Sequence, residues 1–249
     1  MPPIPILLPV NADTSTMSKA LTTVATPHFY RNHLLLPVMA AICLSTILMG
    51  LQGDFLLADR LYALQGHAWT LKSHWFTEMV IHQQGKSVSA AAWLVVLAAW
   101  IWSVRDARLA RWRRPLAYLA ITTLLACLAV SVLKAVTGMD CPWDLQRYGG
   151  AQAFVGLFQL RPETMPSAAC FPAGHASAGY GWVTLYFFLL AVRPRWRWAG
   201  LALALVAGGV FGFSQQLRGA HFLSHDLWSL MTCWLVALAG YVLMFRTAR

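Results

Sequence analysis

Six long apolar segments follow one another along this chain and are separated by polar links. Each segment is continuous rather than alternating, and each is close to the roughly 20 residues that an α-helix needs to cross a bilayer. Because a chain in hydrocarbon must satisfy its own backbone hydrogen bonds, this pattern predicts an all-α bundle of a polytopic membrane protein. The predicted spans, which form one membrane domain over residues 34–249, are residues 34–51, 87–104, 115–136, 174–192, 198–217 and 221–245.

The residues before the first span and those directly after it are polar. Residues 1–33 are rich in Pro and Thr and have no coherent period, so we expect a poorly ordered tail. Residues 52–86 carry apolar side chains at helical spacing, which predicts short helices on the membrane surface. Within them, Glu78, His82 and Lys86 would share one helical face. We interpret that face as solvated; the alternative is that it lines an entrance for a charged head group.

Composition agrees with a membrane protein and narrows its partners. Of the 249 residues, 58% are hydrophobic and 11% are charged, which is too apolar for an ordinary soluble domain. The net charge of +10 comes from short arginine clusters between apolar segments rather than from one basic face. The lipid bilayer is therefore the expected surrounding, and no nucleic acid partner is expected.

The arginine clusters predict how the chain is oriented. They are Arg105, Arg108, Arg111, Arg113 and Arg114 between spans two and three, Arg193, Arg195 and Arg197 between spans four and five, and Arg246 and Arg249 at the end. Under the positive-inside rule these regions and both termini face the cytoplasm. The links after spans one, three and five then face the other side, the periplasm or exterior of a bacterial inner (cell) membrane.

Three helix ends on that exported face carry titratable side chains. Lys134 ends span three, His175 opens span four after a turn containing Pro and Gly, and residues 214–226 join spans five and six. A helix start offers free backbone N–H groups and partial positive charge, so the turn before His175 predicts an anion site. A histidine there can move protons near neutral pH. Taken singly, such side chains also occur as interfacial residues, but three helix ends of the same chemistry favour a site.

These three stretches resemble the tripartite signature of the type 2 phosphatidic acid phosphatase family, KxxxxxxRP, PSGH and SRxxxxxHxxxD. That family shares its core with the vanadium haloperoxidases and bacterial acid phosphatases. The matching residues are Lys134 and Pro142, then Pro172, Gly174 and His175, then Ser214 and His221. The departures are Cys141 and Gln215 in place of the two arginines, Ala173 in place of serine, and His225 in place of aspartate. The resemblance covers the chain from about Leu116 to the end.

The resemblance implies a phosphatase that works through a phosphohistidine. His221 would be the nucleophile, and His175 would protonate the leaving group and then activate water. The second ring nitrogen of His221 would be held by His225 or by Asp226. No metal ion or other cofactor is expected.

The phosphate-binding groups follow from the same resemblance. Lys134 and the backbone N–H groups of Ala173 and Gly174 would hold the phosphoryl oxygens. Arg218 lies one helical turn after Gln215, on nearly the same face, and would supply a guanidinium fork. The active site is thus expected between about residues 134 and 226.

The expected substrate is a membrane lipid phosphate at the outer leaflet. A polyprenyl diphosphate, a phosphatidylglycerol phosphate or a lipid A phosphate would each fit. Transfer of the phosphoryl group to a second lipid instead of water is one alternative. A non-catalytic anion-binding protein or transporter that uses the same histidines as ligands is another, and peroxidase chemistry is a third, which a lipid-embedded site disfavours.

Cysteine positions predict one disulfide. Cys141 and Cys170 lie in the single large exported link, and an oxidising compartment favours their pairing. The bond would tie the end of span three to the start of span four; two free thiols are the alternative. Cys43, Cys127 and Cys233 lie in apolar segments and are expected to be inert buried thiols.

Overall fold

A computed structural model of the chain describes residues 26–245, and over these residues the protein is built from helices and their links. The long helices are α1 Pro27–Gly50, α2 Gly53–Leu64, α3 Phe76–Arg105, α4 Ala110–Thr137, α5 Gly174–Val192, α6 Arg197–Leu217 and α7 Leu223–Phe245. Six of the described helices are long and apolar enough to cross a membrane, and α2 is not among them. The prediction of an all-α, six-span protein is confirmed.

The first span begins earlier than the sequence pattern predicts. α1 starts at Pro27, where proline suits the first position of a helix because its missing N–H needs no partner there. The Thr26 side chain caps this end by accepting a hydrogen bond from the N–H of Phe29 at 3.3 Å. Of the predicted tail, residues 1–25 lie outside the described residues, as do Arg246 and Arg249.

The polar link after α1 contains one separate short helix instead of several. α2 is that helix, but residues Phe76–Gln84 form wide π-helical turns that run directly into the second span. This second segment is therefore continuous with the second span and does not form a separate helix. α3 has 30 residues, about 45 Å of helix against a hydrocarbon core of about 30 Å. α3 is therefore longer than the core of the bilayer is thick.

The core of the bundle is formed around α5, which packs against α4, α6 and α7. Fully buried side chains here include Tyr118, Val130, Val183, Phe187 and Tyr241. Glycines let α5 and α6 approach closely: a Cβ on Gly179 would overlap the backbone of Gly208, and one on Gly208 would overlap the ring of Tyr180. Such contacts between small residues are a common means of packing membrane helices.

The arginine-rich links lie at one end of the bundle. Near the start of α4, the rings of Trp112 and Phe188 are 6.4 Å apart, and the Arg114 guanidinium lies 5.6 Å from the ring of Phe245 at the end of α7. Because the spans alternate in direction, the end of α4, the start of α5 and the α6–α7 junction meet at the opposite end.

At that opposite end, ion pairs hold the link over residues 138–173 in place. Arg161 pairs with Asp140 through two hydrogen bonds of 2.6 and 2.8 Å. Arg147 pairs with Asp59 of α2 at 2.8 and 2.6 Å. The Arg147 guanidinium holds the pKa of the Asp59 carboxyl below its ordinary value. The link is thereby fastened both to itself and to α2.

Candidate active site

A cavity of about 530 Å³ lies between the first turns of α3, the end of α4, the start of α5 and the α6–α7 junction. Its histidine, lysine and arginine lining residues are His82, Lys86, Lys134, His175, Arg218 and His221. Among the described residues that line it, none is aspartate or glutamate. A concave surface with cations and histidines and no lining carboxylate attracts anions.

His175 stands in the first turn of α5 and faces this cavity. Its ring packs against Phe211, with centroids 4.9 Å apart, and meets the ring of His82 edge to face at 4.5 Å. Within the described part of the chain, neither ring nitrogen of the buried His175 makes a hydrogen bond. The carbonyl of Ile81 lies close enough to the ring to interact with one of its nitrogens. Since buried polar atoms normally have partners, the other nitrogen is left for a bound molecule or water.

The backbone at the start of α5 differs from expectation at Ala173. The N–H of Ala173 donates to the carbonyl of His225 at 3.1 Å, so it is not free for a phosphate oxygen. Gly174 does line the cavity, and a Cβ built on it would lie 3.6 Å from Nζ of Lys134. The helix start at Gly174 and the Lys134 ammonium therefore share one wall of the cavity. The expectation that the backbone N–H of Ala173 holds a phosphoryl oxygen is corrected.

His221 is paired with His225 rather than with Asp226. The two histidines are one helical turn apart, and their Nδ1 atoms are 3.3 Å from each other. Asp226 instead accepts a hydrogen bond from the side chain of Gln216 and packs against Gly212. The expectation that Asp226 belongs to the catalytic group is corrected, because its carboxylate is turned into the contact between α6 and α7.

The surroundings of His221 keep its imidazole neutral. Burial lowers the pKa of His221 well below its ordinary value. Nδ1 of His221 is directed at His225, the Cys170 carbonyl is a second neighbour of the ring, and His221 lines the cavity. A neutral histidine with one free nitrogen has the form that a nucleophile needs.

Arg218 reaches the cavity, but its guanidinium is already bound by other groups. Nε donates to the carbonyl of Lys72 at 2.9 Å. Nη1 donates to Nδ1 of His82 at 2.7 Å and to Oε1 of Gln215 at 3.2 Å. Nη2 donates to the Glu78 carboxylate. The expected guanidinium fork on phosphate is corrected, because the fork is directed at Glu78 and His82.

Sequence reasoning missed part of this site. Glu78 and His82 were interpreted as a solvated face, yet His82 and Lys86 line the cavity and Glu78 holds Arg218. The signal in the sequence was their spacing of four residues. The spacing alone could not show that the first turns of α3 fold over the ends of the other helices. That arrangement fits the alternative interpretation, in which this face lines an entrance for a charged head group.

Cys141 and Cys170 are joined by a disulfide, with their Cα atoms 5.2 Å apart, and both line the cavity. Asp144 lies close to both sulfurs. Cysteines bonded to each other cannot bind a metal as thiolates, so this group does not form a metal site in the disulfide form. Of the other cysteines, Cys233 is buried as expected, whereas Cys127 lines the cavity and Cys43 is exposed on α1.

Comparison with known families agrees with this geometry. A family model described as the PAP2 superfamily matches residues 115–249, more than half of the chain. The chain belongs to the PAP2 superfamily. This confirms the resemblance found in the sequence motifs, and it places the chain among proteins that are generally membrane phosphatases. No curated protein and no solved structure matches the chain.

The PAP2 match contains only part of the cavity wall. It includes Lys134, His175 and His221, which the structure brings together around one cavity. The first turns of α3, with His82 and Lys86, lie before its first residue. The cavity of this protein is therefore completed by a segment outside the matched region.

Proposed function

We propose that this PAP2 protein hydrolyses the terminal phosphate of a membrane lipid phosphate or diphosphate. The observation that carries the proposal is the depth of the cavity. Its wall runs along α4 from Lys134 past Ser131 to Cys127, a rise of about 10 Å toward the middle of the bilayer. A cationic cavity with a wall that descends into the hydrocarbon suits an anionic head group whose tail stays in the membrane.

In the proposed reaction, His221 is the nucleophile. Phosphoryl transfer needs an attacking atom in line with the leaving oxygen, positive charge on the other phosphoryl oxygens, and a proton for the leaving group. Nε2 of His221 forms a bond to phosphorus while the bond to the leaving oxygen breaks, which gives a phosphohistidine. For Nε2 to have a free lone pair, the Nδ1–H of His221 donates to Nδ1 of His225.

His175 handles the protons in this scheme, and the cations bind phosphate. His175 gives a proton to the departing oxygen, then takes one from the water that attacks phosphorus and frees His221. Lys134 and the N–H of Gly174, which share one wall, stabilise the charge on the phosphoryl oxygens. Every group used here faces the same cavity.

The proposal also places the site on the exported face of a bacterial inner membrane, with both termini in the cytoplasm. Two observations support this orientation. The arginine-rich links, Arg105–Arg114 and Arg193–Arg197, lie at the opposite end of the bundle from the cavity, as the positive-inside rule requires. The Cys141–Cys170 disulfide lies in the cavity wall, and such bonds persist in oxidising compartments.

Phosphate release by purified protein tests the function. Candidate substrates are polyprenyl diphosphate, phosphatidylglycerol phosphate and lipid A phosphate in mixed micelles, with soluble glycerol phosphate as the comparison. We expect release from at least one lipid and, with labelled substrate, an acid-labile label on His221. His221→Ala and His175→Ala should each lower turnover by at least about 100-fold, because each removes a bond-forming or proton-transfer role.

The control variant is His67→Asn, since His67 is exposed, lies outside the cavity and has a positive φ that asparagine tolerates. It should retain the wild-type rate. Phosphate transfer to a second lipid would identify a phosphotransferase, and binding without turnover would identify an anion-binding protein. Hydrolysis of glycerol phosphate alone would contradict the lipid substrate.

A further inference from the structure

We propose that His82 binds a phosphoryl oxygen of the substrate through its Nε2–H, and that Arg218 and Glu78 position it for that contact. The inference rests on the proposed function and adds a phosphate-binding residue to the same cavity. His82 comes from the first turns of α3, outside the region that the PAP2 model matches.

The contact with Arg218 fixes which nitrogen of His82 carries the proton. Nη1 of Arg218 lies 2.7 Å from Nδ1 of His82. A guanidinium has only donors, so Nδ1 must be the acceptor and must have a free lone pair. In a neutral imidazole the proton is then on Nε2. His82 therefore offers one N–H donor from the cavity wall, and its side chain is 26% exposed.

Arg218 is built into the wall as a support. Its side chain is 8% exposed, and a buried guanidinium needs a negative partner, which Glu78 supplies. The Lys72 carbonyl and the Gln215 side chain accept two more of its hydrogen bonds. Four of its five N–H groups therefore have acceptors in the wall, and in this proposal Arg218 contributes to phosphate binding through His82.

His82 lies where a residue that binds the phosphoryl group in this site would have to lie. Its ring meets that of His175 at 4.5 Å, so a phosphoryl group close enough to exchange a proton with His175 is also beside His82. Cysteine and glutamine occupy the two arginine positions of the family signature, at 141 and 215. A donor from α3 offsets part of that loss.

Phosphate binding by His82 variants tests the inference without requiring turnover. The probe is inorganic phosphate, titrated by ³¹P NMR against the full-length protein in detergent. His82→Phe keeps a flat ring against His175 but has no N–H, and should raise the Kd for phosphate about 10- to 100-fold, as expected for a lost hydrogen bond to a charged group. His82→Gln has an amide N–H close to the position of Nε2 and should restore binding to within about threefold. His67→Asn is the control, and equal thermal midpoints show that the variants are folded.

A double-mutant cycle tests the positioning role of Arg218. Arg218→Lys in the wild-type background should weaken phosphate binding, because lysine cannot hold the Glu78 carboxylate and His82 at once. In the His82→Phe background, Arg218→Lys should raise the Kd for phosphate by less than about threefold more. The reason is that Arg218 acts on the ligand through His82, which is already replaced. Equal effects in both backgrounds would show that Arg218 contacts phosphate directly.

The outcomes separate this inference from the proposed function. If the protein hydrolyses lipid phosphates but His82→Phe binds phosphate as tightly as wild type, the role of His82 is wrong and the proposed function stands. If phosphate binding depends on His82 but no lipid phosphate is hydrolysed, the proposed function fails and the binding role of His82 stands. Failure of His82→Gln to restore binding would show that His82 serves the structure rather than the ligand.

Discussion

At the scale of single residues, position 225 sets this protein apart from its family signature. Histidine stands where the signature has aspartate, and its Nδ1 is the atom that approaches Nδ1 of His221. A carboxylate beside an imidazole favours the protonated ring, whereas a neutral histidine does not. The nearest carboxylate in sequence, Asp226, is held by Gln216. His221 thus has a neutral partner.

The pH dependence of turnover should reveal this neutral partner. The pKa of His221 lies well below its ordinary 6.5, because the imidazole is buried. Attack needs the unprotonated ring, so activity should persist below pH 6.5 and fall only as the pH drops through the lowered pKa. In His225→Asp the carboxylate should raise that pKa, which moves the acid limb of kcat/KM upward by about one pH unit or more.

The matched control for this prediction is His225→Asn, which is neutral at every pH. Its acid limb should stay closer to that of the wild type than the limb of His225→Asp. Identical acid limbs in the aspartate and asparagine variants would show that position 225 does not control the protonation of His221.

At the scale of elements, two tight connections hold the start of α5 in place. One is the crossing of α5 and α6, where Gly179 and Gly208 leave no room for a Cβ. The other is the disulfide from Cys170 to Cys141, which binds the approach to α5 to the end of α4. Since His175 stands in the first turn of α5, both connections determine where its ring lies.

Filling the helix crossing should destabilise the protein. Gly208→Ala adds a Cβ that overlaps the ring of Tyr180, and such overpacking costs about 1–3 kcal/mol. The neighbouring Gly209→Ala is the matched control, because apart from the backbone of its own helix and its chain neighbours no atom lies within 4 Å of the added Cβ. Thermal unfolding in one detergent should show a lowered midpoint for the first variant only. Equal midpoints would mean that the helices do not cross at Gly208.

Removing the disulfide should also destabilise the fold. The cysteines are separated by 29 residues, and closing a loop of that length contributes about 3.6 kcal/mol in the chain-entropy model. Cys141→Ser together with Cys170→Ser should therefore lower the unfolding midpoint, and a reductant should lower it in the wild type but not in the double variant. Mass spectrometry of non-reduced peptides checks the bond itself; recovery of both cysteines as free thiols after rapid alkylation would contradict it.

At the scale of the whole molecule, charge and chemistry are divided between the two ends of the bundle. The exposed arginines of the α3–α4 and α5–α6 links lie at one end, and the cavity with its histidines lies at the other. Along the bundle surface between them, large apolar side chains such as Val136, Leu203 and Val206 are exposed, as lipid contact requires.

Cysteine labelling should show which end faces the cytoplasm. Ala153 and Ala110 are both exposed, the first in the link over the cavity and the second at the start of α4. Ala153→Cys should react with a membrane-impermeant thiol reagent in intact spheroplasts, and Ala110→Cys only after lysis. Wild-type protein gives the background from its own cysteines. The reverse pattern would put the site in the cytoplasm and remove outer-leaflet lipids as substrates.

The sequence by itself determined the six spans, because the length and continuity of apolar segments follow directly from the thickness of the bilayer. It also determined the family and three residues of the cavity, Lys134, His175 and His221, because their order and spacing form a local signature. The pairing of Cys141 with Cys170 was accessible for a similar reason, since only these two cysteines lie outside the apolar segments.

The tertiary structure alone decided which groups meet in the cavity. Spacing left His225 and Asp226 as equal partners for His221, and only the crossing of α6 and α7 turns Asp226 toward Gln216. Likewise, Arg218 and Glu78 are 140 residues apart. Their contact depends on how far the first turns of α3 extend over the bundle. Hydrophobic periodicity records which face of a helix is buried, but it does not record which distant polar group that face will meet.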